Sequence, residues 1–154
     1  MAAPADQVFD HGSPPLEGQP PQSARAFAID LPALSRLRAE VGRHGRAAGL
    51  GDGTGNDLVI AANELLTNVV RHGGGTGRMW LWQDEGWFYC LVADNGPGLP
   101  MAPKELYEAQ PPATAPTGRG LWLIWQFVPR VRIQTGPDGT AVTIAFPRGG
   151  GPAA

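Results

Sequence analysis

Three short segments carry the residue types and spacings that could do chemistry. The first is Asn63-Glu64-Leu-Leu-Thr-Asn68-Val-Val-Arg71-His72. Glu64, Asn68 and His72 recur every four residues, so a helix would set them on one face. An amide oxygen is a hard ligand suited to Mg²⁺, and a carboxylate one turn away can orient water or accept a proton. The same spacing also fits a solvated polar stripe opposite apolar residues. The second segment is Ala93-Asp94-Asn-Gly96-Pro-Gly98-Leu99, directly after an apolar run. A carboxylate at the end of a buried strand can accept a hydrogen bond from an exocyclic amine, and the glycines let the backbone approach a ligand. An ordinary turn reads the same way, since Asn-Gly and Pro-Gly are common turn pairs. The third is Thr117-Gly118-Arg119-Gly120-Leu121, ahead of a Trp-rich apolar stretch. Free amides at a helix N-terminus after a Gly-rich loop favour an anion, although a flexible link ending in a cap has the same letters.

The elements that must position these segments follow from periodicity. Ala26-Phe-Ala-Ile29 reads as a strand, and Asp30 as an N-cap with Pro32 in the first helical turn. Leu34, Leu37 and Val41 carry a helix that fades near Gly49, and Gly49 to Gly55 reads as a turn. From about Thr54 to His72, Leu58, Ala61, Ala62, Leu65, Leu66 and Val69 form an amphipathic stripe, stopped by Gly73-Gly-Gly75. Strands over Gly77 to Gln83 and Gly86 to Ala93 make a hairpin around Asp84-Glu-Gly86. A loop with six prolines runs from Asp94 to Thr117, and a short helix from Gly120 to Val128. Strands Arg130 to Thr135 and Thr140 to Phe146 flank the turn Gly136-Pro-Asp-Gly139. The order β-α-α-β-β-α-β-β predicts an α/β (α+β) two-layer sandwich with helices on one face of the sheet.

Composition bounds what the chain can be. Of 154 residues, 22 are Gly and 16 are Pro, the lower edge of low-complexity usage, yet 42% are hydrophobic and five are Trp, enough for a core. Residues 1–24 hold five Pro and two Gly, with only Asp6, Asp10 and Glu17 charged, and read as a disordered tail. Residues 148–154, Arg148-Gly-Gly-Gly-Pro-Ala-Ala154, read likewise, which leaves residues 25–147 as one domain. No apolar run reaches the roughly 20 residues that span a bilayer, and no basic segment leads into an apolar one at the N-terminus, so a soluble cytoplasmic protein with no membrane contact is expected. With 12 basic against 14 acidic residues, direct nucleic-acid binding by phosphate neutralisation is not expected. Lys104 is the only lysine, which excludes a P-loop and disfavours Schiff-base chemistry. Cys90 stands alone, without an intrachain disulfide or a Cys-based zinc site, and reads as a buried small hydrophobe.

Taken together in order and spacing, the three segments resemble the GHKL ATPase superfamily and its Bergerat fold. Glu64-x-x-x-Asn68 looks like the N box, Asp94-x-Gly96-x-Gly98 the G1 box, and Gly118-x-Gly120-Leu121 the G2 box. Gly139-Thr140 with alternating Val142 and Ile144 looks like the closing strand. The resemblance covers about residues 25–147 and is strongest to the small anti-sigma-factor serine/threonine kinases and their actinobacterial-type relatives. It implies a mixed sheet, and ATP and Mg²⁺ as cofactors, with Asn68 coordinating the metal on the phosphates and Glu64 as general base. It implies that Asp94 binds the adenine amino group with Thr140 in support, and that Gly96 and Gly98 allow close approach. Gly118, Arg119, Gly120 and Leu121 would close over the phosphates, with Arg119 as the phosphate contact and Arg71 and His72 beside it or simply on the surface. The implied partners are a sigma factor and an anti-anti-sigma-type antagonist that accepts phosphate on Ser or Thr, with a homodimer as the assembly. A non-catalytic nucleotide-dependent binding module, or the catalytic half of a histidine-kinase-like system, would share these boxes. The short proline-rich stretch after Asp94 implies a small or partly disordered lid, and the sequence ahead of the domain offers no expected phosphoacceptor-His helix, so a complete sensor histidine kinase is not expected. Trp122 and Trp125 are read as core; exposed, they would mark a partner surface.

Overall fold

A computed structural model describes residues 7–12, 16, 18–100, 102–108 and 119–149. Ten regular elements follow one another: β1 (Gln7–His11), β2 (Arg25–Ile29), α1 (Leu34–Ala47), α2 (Asp52–His72), β3 (Gly77–Gln83), β4 (Trp87–Asp94), α3 (Pro103–Glu108), α4 (Arg119–Phe127), β5 (Arg130–Gly136) and β6 (Gly139–Pro147). A 3-10 turn at Leu31–Ala33 leads into α1, and its N-cap is Asp30, whose Oδ1 accepts the Ala33 amide at 2.9 Å. The six strands form one sheet in the order β1-β5-β6-β4-β3-β2.

Every ladder in that sheet is antiparallel, where the resemblance implied a mixed sheet. The reason lies in the α4 crossover. β4 and β5 run in the same direction, but β6 returns by the Gly136–Gly139 hairpin and slots between them, pairing with both. The parallel pair that a β-α-β crossover normally makes is therefore never formed.

α1, α2 and α4 lie over one face of the sheet. Leu37 and Val41 of α1, the six-residue apolar stripe of α2, and Leu121, Ile124 and Trp125 of α4 are buried there. They meet the inward positions of the strands, among them Met79, Leu81, Phe88, Cys90, Val92 and Ile144. Full burial in this apolar layer pushes the Cys90 thiol up to about 12, so it behaves as a packing residue. Of the two helix tryptophans, Trp125 is buried as expected, whereas Trp122 is half-exposed beside exposed Leu123.

Three further departures from the sequence expectations concern segments rich in Gly and Pro. The N-terminal stretch expected to be disordered contributes β1, an edge strand paired with β5 in the register Phe9↔Ile133. Phe9 and His11 of that strand pack on Trp125 with ring centroids 5.2 and 5.8 Å away, and both also meet Tyr107 of α3. The proline-rich loop after Asp94 holds α3, with Pro103 at its start and a Lys104–Glu108 pair at 3.6 Å, one turn apart. Arg148, assigned to the C-terminal tail, is anchored: its Nε donates to the Ala48 carbonyl at 2.8 Å and its Nη1 to that of Asp84 at 2.7 Å. Of the two tails, residues 1–6, 13–15, 17 and 150–154 lie outside the described residues.

Candidate functional site

α2 delivers the first segment. Because 3.6 residues make a turn, its apolar stripe faces the sheet while Asn68 and His72 come to the rim at its C-terminal end. The helix stops at Gly73, whose amide reaches back to the Asn68 and Val69 carbonyls at 3.0 Å each, and the chain then turns through Gly74 and Gly75 with φ of 87° and 92°. Gly73 is needed for another reason. A Cβ there would lie 2.4 Å from Asp94 Oδ2 and 2.5 Å from its Cγ, so only glycine lets the end of β4 seat against the end of α2.

Asp94 is the last residue of β4. Its Oδ1 accepts the Gly96 amide at 2.9 Å and the Thr140 amide at 3.2 Å, which fixes the carboxylate between the β4 end and the start of β6. Burial raises the Asp94 pKa above its ordinary value, and the hydrogen bonds from Gly96 and Thr140 only partly counter it. Gly139 makes this closure possible: its φ is +140° and a Cβ would lie 2.0 Å from the Asp94 carbonyl oxygen. Gly98, at φ +88°, packs on the Gly136 carbonyl with the same lack of room, and Gly96 lies against the Gly73 backbone.

These residues line one pocket between α2, the loop after β4, the start of α4 and the start of β6. Asn68, His72, Gly73, Asp94, Gly98 and Thr140 supply its polar and backbone lining. Leu65, Val69, Val92, Leu99, Leu121 and Val142 make the rest apolar. An apolar slot with one fixed carboxylate at its floor suits a flat heteroaromatic ring that carries an amine.

Glu64 stands one turn before Asn68, half-buried under the first turn of α4. A Cβ on Gly120 would lie 2.4 Å from Glu64 Oε2, so the glycine lets the α4 N-terminus close on that carboxylate. Among the expected residues, Asn68, Asp94, Gly98, Leu121 and Thr140 therefore share the pocket, with Gly96 behind Asp94 and Glu64 and Gly120 at one side. Arg71 is exposed and does not line the pocket, whereas His72 does. Thr117 and Gly118 lie outside the described residues, as does the Arg119 side chain.

Two residues escaped the sequence reading. Gly73 looked like a helix stop, and its contact with Asp94 depends on a strand more than twenty positions away. Thr135 looked like an ordinary strand residue; it is buried, its Oγ1 accepts the Leu99 amide at 2.9 Å and it hydrogen-bonds Thr140 Oγ1 at 2.9 Å. That one hydroxyl ties the loop over the pocket to the closing strand. Its signal in the sequence was the near-symmetric Thr135-Gly136…Gly139-Thr140, which places the two threonines opposite each other across the hairpin.

Fold and pocket together define a class: this is a GHKL-type ATPase. The chain belongs to the histidine kinase-like ATPase domain family, whose model matches residues 27–146. Among solved structures it is similar to a mycobacterial sensor histidine kinase, MprB, at a TM-score of 0.51 and 24% identity, covering 80% of this chain and 97% of that one. That likeness concerns the fold. No curated protein matches the chain. No helix among the described residues is long and apolar enough to cross a membrane.

Proposed function

We propose that the protein is an ATP-dependent serine/threonine protein kinase of the anti-sigma-factor type, with ATP in the pocket beside α2. The observation that supports this reading is the convergence of Asp94 and Asn68 on one slot, with Glu64 beside it against the Gly120 end of α4. Asp94 takes the adenine amine, Thr140 braces that carboxylate through its amide, and Leu65, Val92 and Val142 sandwich the ring. Gly96 and Gly98 hold the loop close, while Gly118 to Leu121 and Arg119 receive the phosphates at the helix start.

Mg²⁺ fits this donor set. It keeps most of its shell as water and substrate phosphate, needing one or two hard oxygens from the protein, and Asn68 offers one at the pocket rim. No group of three His, Cys, Asp or Glu that could hold a metal occurs among the described residues, so an all-protein cage is not built here. When bound, Mg²⁺ would neutralise charge on the phosphates. Glu64 accepts the proton of the attacking Ser or Thr hydroxyl as its oxygen bonds to the γ-phosphorus and ADP leaves.

The partners are a sigma factor, held without covalent change, and an antagonist protein that receives the phosphate. Incubation with labelled ATP, Mg²⁺ and a candidate antagonist should give phosphoserine or phosphothreonine. Nucleotide binding without transfer to any antagonist would leave a non-catalytic binding module instead, and label that is acid-labile on a partner histidine would mark the catalytic half of a histidine-kinase pair.

A subtler variant separates catalysis from folding. In Gly120→Ala the new methyl occupies the space of Glu64 Oε2, the free end of a side chain that can swing aside. Stability should hold or rise by up to about 1 kcal/mol, since alanine favours a helix over glycine. Phosphotransfer should nevertheless drop about tenfold as the carboxylate loses its place. Thermal melts beside single-turnover assays check both halves.

A further inference from the structure

β1 lies outside the stretch that the family model matches, residues 27–146, yet it is built into the sheet. It pairs with β5 along its whole length, from Gln7↔Thr135 to His11↔Val131. Side chains alternate across a strand, so Phe9 and His11 share one face and Asp10 takes the other. Asp10 pairs there with Arg132 at 3.3 Å. Phe9 and His11 instead reach the helical layer, where they meet Tyr107 of α3 and Trp125 of α4.

The four rings form one cluster around the buried Trp125. Phe9, Tyr107 and His11 lie 5.2, 5.5 and 5.8 Å from it, with planes 89°, 84° and 80° to the indole, the edge-to-face arrangement that aromatic quadrupoles favour. Tyr107 also lies 5.4 Å from Phe9 and 5.2 Å from His11, so the strand's two rings bridge α3 to α4. Both helices adjoin the nucleotide pocket. α3 begins three residues after Pro100, and Leu99 and Pro100 line that pocket. α4 carries Leu121, also in the lining, one turn before Trp125 on the same side of the helix. The neighbouring Gly120 lies against Glu64.

α3 has six residues and α4 nine, and helices this short take their stability from packing. We infer that Phe9 and His11 are positioning residues for the nucleotide: through Tyr107 and Trp125 they hold α3 and α4 where Leu99, Pro100 and Leu121 wall the pocket. A strand from outside the family domain thus sets the affinity of the site inside it. If loss of the two rings leaves the seated arrangement populated about a tenth of the time, apparent nucleotide affinity falls about tenfold. The inference rests on ATP occupying the pocket beside α2.

The test compares full-length wild type with the double variant Phe9→Ala, His11→Ala. Calorimetry with ATP and Mg²⁺, well below the melting temperature, should show Kd raised about tenfold. Amide hydrogen exchange across α4, measured without nucleotide, should be about tenfold faster. Phe27→Ala is the control: this ring packs on His44, 5.9 Å away, from the opposite edge strand, so its loss should lower Tm without changing Kd or α4 exchange. His11→Phe keeps a ring at the same place and should retain the native Kd. Where the double variant does not fold, His11→Ala alone should still raise Kd about threefold. A wild type that binds no ATP defeats the pocket reading itself, and the positioning role with it. A wild type that binds ATP beside a folded variant of equal Kd, or of unchanged α4 exchange, overturns the positioning role and leaves the pocket reading intact.

Discussion

Asp94→Asn should remove adenine-nucleotide binding and leave the fold standing. In the native chain Oδ1 is committed to the Gly96 and Thr140 amides, at 2.9 and 3.2 Å, so Oδ2 is the oxygen left for the ligand's amine. Asparagine keeps the shape and one acceptor oxygen for the two amides, but turns an NH₂ toward a ligand that brings its own N–H. Losing a charge-assisted bond and stranding a donor costs about 3 kcal/mol, or roughly 100-fold in Kd. Stability moves the other way. Burial holds the Asp94 pKa above 3.8, so the folded state binds this proton more tightly than the unfolded chain does. Its contribution to stability is complete below that value and is lost as pH rises through the folded pKa. At neutral pH the ionised carboxylate is a cost that asparagine does not carry, and Tm should equal or exceed that of the native chain. The same shift makes native nucleotide affinity weaken on acidification earlier than an exposed aspartate would. Calorimetry with ATP and Mg²⁺ beside scanning calorimetry at pH 7 decides the matter; a fall in Tm accompanying lost binding would make Asp94 a structural residue.

Glu64→Gln has the second large effect, on chemistry alone. Glutamine reproduces the length and the contact with Gly120, so the α4 N-terminus still closes on α2. It cannot accept the hydroxyl proton, and phosphotransfer should fall by about 10²- to 10⁴-fold. Nucleotide affinity should be unchanged, because Glu64 is not part of the pocket lining. A single-turnover rate equal to wild type would remove Glu64 from the mechanism and return that role to water.

The pattern of what was legible in the sequence follows from range. α2 was readable because its stripe repeats over six buried positions, and β3 and β4 because the Asp84-Glu-Gly86 turn joins neighbours in sequence. Asp30 as a cap needed only the next three residues. The N box and the two glycine boxes were readable as segments, since each spans five or fewer positions, and the pocket brings Asn68, Asp94 and Thr140 together. β1 was hidden because five residues of ordinary polarity sit within a proline-rich stretch, and their partner strand lies more than a hundred positions on. Gly73 and Thr135 were hidden for the same reason: their neighbours are fixed by packing between elements. The antiparallel sheet likewise depends on where β6 inserts, a choice made by two ladders at once.

The placement of β1 and β2 at opposite edges also sets an order for assembly. Every other ladder joins strands that a hairpin or the helical layer already brings near, but β1 must close a loop around almost the whole chain to reach β5. Loop-closure entropy makes such a contact late, since it is rewarded only after β5 and β6 are in place. In refolding, the Phe9 contact with Trp125 should therefore report the last kinetic phase. Strand β1 is thus the last to be seated, and until it arrives β5 is the open edge of the sheet, a strand available to a neighbouring chain.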